Sequence, residues 1–166
     1  IDRKSIYAMR DKGVVEPLAR GYYRLSALEP LSNPDLAAIA ARVPQGVVCL
    51  ISALSFHDLT TQIPHTIDVA LERGTRKPSI DHPPTRFYWF SGEAFHAGIE
   101  PHLLDGVPIR VYDPEKTLAD CFRFRNQLGM DVVLEALRLW RDARSQNLEA
   151  LLQYARLRRV ERGMRP

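Results

Sequence analysis

With 166 residues, 45% of them apolar and 26% charged, the chain has room for one or two small soluble domains with a real core. No run approaches the ~18 consecutive apolar residues of a membrane-spanning helix. The net charge of +3 is unevenly spread, with six basic and three acidic groups in residues 1–25, seven and twelve in 26–120, and ten and five in 121–166. Basic ends around an acidic middle point to polyanion contacts at one or both ends, although nineteen arginines against four lysines also fits a GC-rich genome.

The chain opens on Ile1 with no charged-then-apolar leader, and reads as starting inside a longer protein. Residues 2–12 suit a short helix, with Ile6 and Met9 facing a core and Arg3, Lys4, Tyr7 and Arg10 projecting outward. Gly13 closes it in the left-handed position at which many helices end. Val14–Leu18 and Tyr22–Leu25 are extended and joined through Ala19-Arg20-Gly21. A helix, a glycine and a small hairpin with a basic tip have the shape of a recognition helix and wing. Such a helix presents side chains to base edges in the major groove, and Arg20 at the tip reaches phosphates. Gly21 lets the backbone turn sharply there. The same pattern also suits a helix and hairpin with an ordinary solvated basic face, because the two helices that precede a recognition helix are absent.

Ala27–Asn33 reads as a linker with a domain boundary at about residue 28. Asn33 caps a helix that starts at Pro34 and continues to Pro44. The central stretch is Gly46–Leu71. Val47, Leu50, Ile51 and Leu54 recur at helical spacing, which predicts one core helix. After Thr60-Thr61-Gln62 and Pro64 the period changes to two. Ile67, Val69 and Leu71 alternate with Asp68, Ala70 and Glu72, which predicts a half-buried strand. Residues 73–84 are a polar loop, and Thr85–Phe90 is an aromatic strand whose rings suit core packing better than base stacking. Ser91 caps a short helix through Gly98, and Asp105-Gly106 joins Ile99–Leu104 to Val107–Tyr112 in a hairpin. Asp113-Pro114 opens a helix to about Asn126, with Leu118, Cys121 and Phe122 inward and Arg123 and Arg125 near its C-terminus. Helices over 131–144 and 147–160 follow, the last ending in the basic tail Arg156, Arg158, Arg159, Arg162 and Arg165. Strands mixed with short helices, then helices to the end, predict an α+β fold for residues 29–166.

Motifs for catalysis or cofactors are missing from the sequence. Five histidines (His57, His65, His82, His96 and His102) lie in separate segments without an i, i+4 pair, and Cys49 and Cys121 form no C-x-x-C. Those two cysteines read as buried free thiols of a cytoplasmic protein rather than as a disulfide. No phosphate-binding glycine loop, dinucleotide fingerprint or nucleophile elbow occurs. A nuclease of the PD-(D/E)xK kind fails on residues, because only Lys4 has an acidic residue two positions earlier, and that is Asp2, outside the α+β segment. His57 and Asp58 beside Thr60-Thr61-Gln62 read as the anchor of a helix-to-strand connection. The expectation is a protein with no enzymatic activity, no cofactor, no metal and no membrane contact.

Two blocks, SALSFHDLTTQIP at residues 52–64 and VYDPEKTLADCFRFRNQLGMDVVLEALR at 111–138, resemble the AbiEi family, antitoxins of type IV toxin–antitoxin (abortive infection) systems. The resemblance covers nearly the whole chain from about Ser5. It implies the remnant of an N-terminal winged helix-turn-helix in residues 1–28, followed by a mixed α+β antitoxin domain in 29–166. It also implies a DNA-binding autoregulator that counteracts a nucleotidyltransferase-like toxin, without requiring a stable complex with it. Family members end this segment in an RGxY-like wing, matched here by Arg20-Gly21-Tyr22-Tyr23. The resulting DNA-contact candidates are Arg3, Lys4, Ser5, Tyr7 and Arg10 on the recognition helix and Arg20, Gly21 and Tyr22 in the wing. Arg138, Arg141, Arg156, Arg158, Arg159 and Arg162 form a possible second basic surface for DNA or a partner. An orphan regulator or interaction domain without a toxin is the alternative.

Overall fold

The computed structural model describes residues 2–25 and 33–164. The predicted boundary at residue 28 and Arg165 lie outside the described residues.

Helix α1 (Arg3–Asp11) starts on Asp2, whose carboxylate accepts the Ser5 N–H at 2.7 Å. It stops at Gly13, with φ 76, where the Val14 N–H turns back to the Met9 carbonyl at 2.9 Å. Strands β1 (Val15–Ala19) and β2 (Tyr22–Leu25) pair antiparallel around Arg20-Gly21, with an irregular register between Pro17 and Ala19. The expected helix, glycine and hairpin are all present.

Helix α2 (Pro34–Arg42) is capped as predicted, with Asn33 Oδ1 accepting the Leu36 N–H at 3.0 Å. The central stretch departs from its prediction. Val47–Val48 form strand β3, and helix α3 (Leu50–Phe56) begins only after Cys49. β3 is the middle strand of a five-stranded mixed sheet in the order β5-β4-β3-β7-β6, in which β4 is Ile67–Glu72, β5 Thr85–Phe90, β6 Ile99–Leu104 and β7 Val107–Tyr112. Val47 and Val48 pair antiparallel with Ala70 and Val69, and Val48 also pairs in parallel with Val111. The spacing from Val47 to Leu54 reflects coincident burial of a strand and a helix. Long-range pairing decides which conformation Val47 takes.

β4 is buried on both faces, including Asp68 and Ala70, which corrects the half-buried expectation. The reason is layering. α2 covers one face with Leu36 and Ile39, while α3 and the helices that follow cover the other. Between β5 and β6 the short helix α4 (Glu93–His96) starts from Gly92 at φ 54, so Gly92 takes the capping position expected of Ser91. The β6–β7 hairpin closes as predicted, with Asp105 and Gly106 at φ 51 and 82 and Leu104 opposite Val107.

Helix α5 (Pro114–Arg123) is capped by Asp113, whose Oδ1 accepts the Lys116 N–H at 2.7 Å. It ends three residues before the predicted Asn126, and α6 (Arg125–Leu128) follows as a separate turn. α7 (Met130–Asp142) and α8 (Leu148–Leu157, capped by Asn147) pack on α5, and α9 (Glu161–Met164) packs on α8. α5 is therefore enclosed, and its polar side chains are buried with partners. Glu115 accepts from Trp140 Nε1 at 3.1 Å and from the Asn147 N–H at 3.0 Å. Thr117 donates to the Tyr112 carbonyl at 3.2 Å. Lys116 and Asp120, both fully buried, form an ion pair at 2.8 Å. Each of these side chains has a hydrogen-bond or ion-pair partner in place of water, although Asp120 Oδ1 has only the Arg158 charge beside it and no hydrogen bond. Cys49 and Cys121 are buried and free, and burial pushes both thiols up from their ordinary range.

Candidate nucleic-acid interface

α1 and the β1–β2 hairpin enclose an open concavity of about 660 Å³. Positions 3, 7 and 10 share one helical face, so Arg3, Tyr7 and Arg10 line it from α1, while Arg20, Gly21 and Tyr23 line it from the hairpin. Arg10 stacks on Tyr7, its guanidinium 4.9 Å from the ring centroid, and stands 3.5 Å from Asp11. Arg20 projects at a two-residue turn where Gly21 has φ 80.

Five of the eight expected DNA-contact residues thus meet at one concavity. Lys4 and Ser5 are exposed on α1 but do not line it, and the Ser5 amide is engaged in the helix cap. Tyr22 lines a different, largely apolar cavity of about 470 Å³ beside α2 and β7. Tyr23, its neighbour, takes the place expected of Tyr22, because alternate strand residues face opposite sides.

The expected second basic surface divides. Arg156, Arg159 and Arg162 line a concavity near the end of α8, together with Arg123 and Arg125. Arg158 points inward, with Nε 2.8 Å from Asp120 Oδ1 but poorly aligned for a hydrogen bond, and it is only 12% exposed. Arg138 and Arg141 are exposed on α7 and do not line that concavity, and Arg141 lies 3.4 Å from Asp142. Arg123 and Arg125 were legible only as cations at a helix end. The packing of α8 and α9 against α5 is what joins them to the tail. That packing is close, since a Cβ on Gly163 would lie 2.8 Å from Phe122 Cε1. Gly163→Ala is therefore expected to push α9 off Phe122 and lower stability by about 1 kcal/mol, measured by thermal unfolding.

The motif around His57 ties the α3–β4 connection to its neighbours. His57 Nε2 is 2.7 Å from the Tyr112 carbonyl, and Glu135 of α7 accepts the Thr61 N–H at 2.8 Å and both threonine hydroxyls. The Thr61 N–H holds the Glu135 carboxyl below its ordinary range. The anchor predicted for the α3–β4 connection is thus a strap onto α7. Among the described residues, no group of three or more His, Cys, Asp or Glu side chains is placed to hold a metal ion, and no helix is long and apolar enough to cross a membrane. No protein-family model matches the chain, and no curated protein matches it either.

Proposed function

We propose that the N-terminal unit is the recognition helix and wing of a winged helix-turn-helix, and that the protein is a DNA-binding autoregulator and antitoxin of the AbiEi kind. The observation that carries this reading is the convergence of Arg3, Arg10 and Arg20 with Tyr7 and Tyr23 around one open concavity between a helix and a hairpin tip. A helix supplies side chains for base edges and a flanking hairpin supplies cations for phosphates, so the two together fit a duplex. The two long sequence blocks described above support the family assignment. On that assignment the α+β unit opposes a nucleotidyltransferase-like toxin, and the protein works in the cytoplasm by binding rather than by catalysis.

The test is titration of the whole protein against the DNA upstream of its own reading frame at about 50 and about 200 mM salt. For a duplex, each phosphate contact contributes about 0.9 to the slope of log affinity against log salt. Arg20→Ala is expected to flatten the slope by about that amount. An unchanged slope removes the wing from the interface.

A further inference from the structure

The arginine concavity near the end of α8 has features that an ordinary solvated face lacks. Five guanidinium groups converge on about 390 Å³: Arg123 at the end of α5, Arg125 at the start of α6, Arg156 on α8, Arg159 in the turn after it and Arg162 on α9. Glu161 offsets one of them, 3.2 Å from Arg156. Arg123, Arg159 and Arg162 have no carboxylate partner among the described residues. Arg125 is fixed in place, stacked 4.6 Å from the Phe122 ring centroid and donating to the Phe122 carbonyl at 2.9 Å. A helix C-terminus favours a nearby cation, which accounts for one arginine on each of α5 and α8 but not for five around one hollow.

Arg159 carries a second indication. α8 ends in a turn in which the Val160 N–H reaches the Ala155 carbonyl at 2.8 Å and the Arg159 N–H reaches Arg156 at 3.0 Å. The residue at that corner is left-handed, and glycine is the usual occupant; here Arg159 holds it at φ 60. α1 ends in the same turn with Gly13. An arginine at a glycine position works against local stability while adding charge to the hollow.

Arg123 also lines an adjoining groove of about 400 Å³ that contains Trp89, Phe124, Asn126 and Gln127. Trp89 is 43% exposed although its indole N–H is already bonded to the Thr75 carbonyl at 2.9 Å, so its free surface is ring. Arginines without a carboxylate partner among the described residues, continuous with an exposed indole and two side-chain amides, match the needs of a flexible strand, with phosphates in the hollow and a base on the ring. A duplex keeps its bases stacked inside, so it offers none to a ring that lies beside the phosphate hollow. We infer that this α5–α8–α9 groove, with Trp89, is a binding site for single-stranded nucleic acid, separate from the N-terminal concavity.

The test is fluorescence anisotropy of a labelled oligothymidylate and an oligouridylate of about twelve nucleotides, each against a duplex of equal length, with the whole chain. Arg123→Gln and Arg159→Gly are each expected to weaken single-strand binding about three- to tenfold, and Trp89→Ala by a similar factor. Arg20→Ala is expected to leave it unchanged, which separates this site from the proposed operator contact. Arg159→Gly is expected to raise the melting temperature, so its loss of binding is not a loss of fold. The inference is overturned if the arginine variants bind the single strand as tightly as the parent, or if they weaken duplex binding by the same factor. It is also overturned if inorganic pyrophosphate or polyglutamate displaces the strand at matched charge concentration, which would make the hollow a phosphate site or an acidic-protein surface.

Discussion

Asp120→Ala is expected to destabilise the fold by about 3–5 kcal/mol, because it strands two cations in the interior. Asp120 Oδ2 accepts from Lys116 Nζ at 2.8 Å, and Asp120 Oδ1 stands 2.8 Å from Arg158 Nε. Lys116 is fully buried, donates to the Ala94 carbonyl at 2.7 Å and sits 3.9 Å from the Tyr112 ring centroid. Burial pulls the Lys116 ammonium down from its ordinary range and pushes the Asp120 carboxyl up, and each counters the shift of the other. The network joins α5 to α4 and to α8, so the loss falls on the packing that also places the tail arginines. Domains of this size commonly have only about 5–15 kcal/mol in total, which puts the variant near the limit of folding at 37 °C. Equilibrium urea unfolding measures the effect. Asp120→Asn keeps an acceptor and is expected to cost less than the alanine variant. Equal and small losses for both would show that the cations find other partners.

The second large effect is a stability that falls as pH rises from about 4 to about 6. Burial pushes the Asp68 carboxyl up from an ordinary 3.8 to about 6, against the pull of Arg86 and of the Ser52 and Ile51 N–H groups at the start of α3. An acid with a raised native pKa binds its proton more tightly folded than unfolded. The Asp68 contribution is therefore fullest below about pH 4 and declines through the native pKa, by roughly 3 kcal/mol for a shift of this size. Asp68→Asn is expected to remove this component, so that its urea midpoint changes less between pH 4 and pH 7 than that of the parent. Parallel pH profiles for the two proteins would show that Asp68 is solvated.

What was legible in the sequence was local. Asn33-Pro34 and Asp113-Pro114 marked their helix starts because a side-chain oxygen accepts an N–H three residues onward. Asp105-Gly106 marked its hairpin because both positions need positive φ. What was hidden depended on partners far along the chain. Val47 could be read as helix because its strand identity rests on Ala70 opposite it and on Val111 beside Val48. Asp68 looked solvent-facing because alternation cannot reveal a second covering layer. Arg3, Tyr7 and Arg10 line one concavity because helical spacing puts them on the same face. Tyr23 and not the expected Tyr22 lines that concavity, because a one-residue difference on a strand reverses the side. Arg123 and Arg125 remained separate from Arg156 and Arg159 until the helices were packed together.

The two-residue strand at the centre of the sheet has a consequence for how the chain assembles. The β4–β5 pair lies on one side of Val47–Val48 and the β6–β7 hairpin on the other, and among the described residues no other strand bridges them. The hairpin can close early through its own turn, but the sheet is continuous only once Val48 meets Val111 across a long intervening loop of chain. The two halves therefore gain their final order together, and a fluctuation that releases this short strand opens the whole sheet rather than an edge.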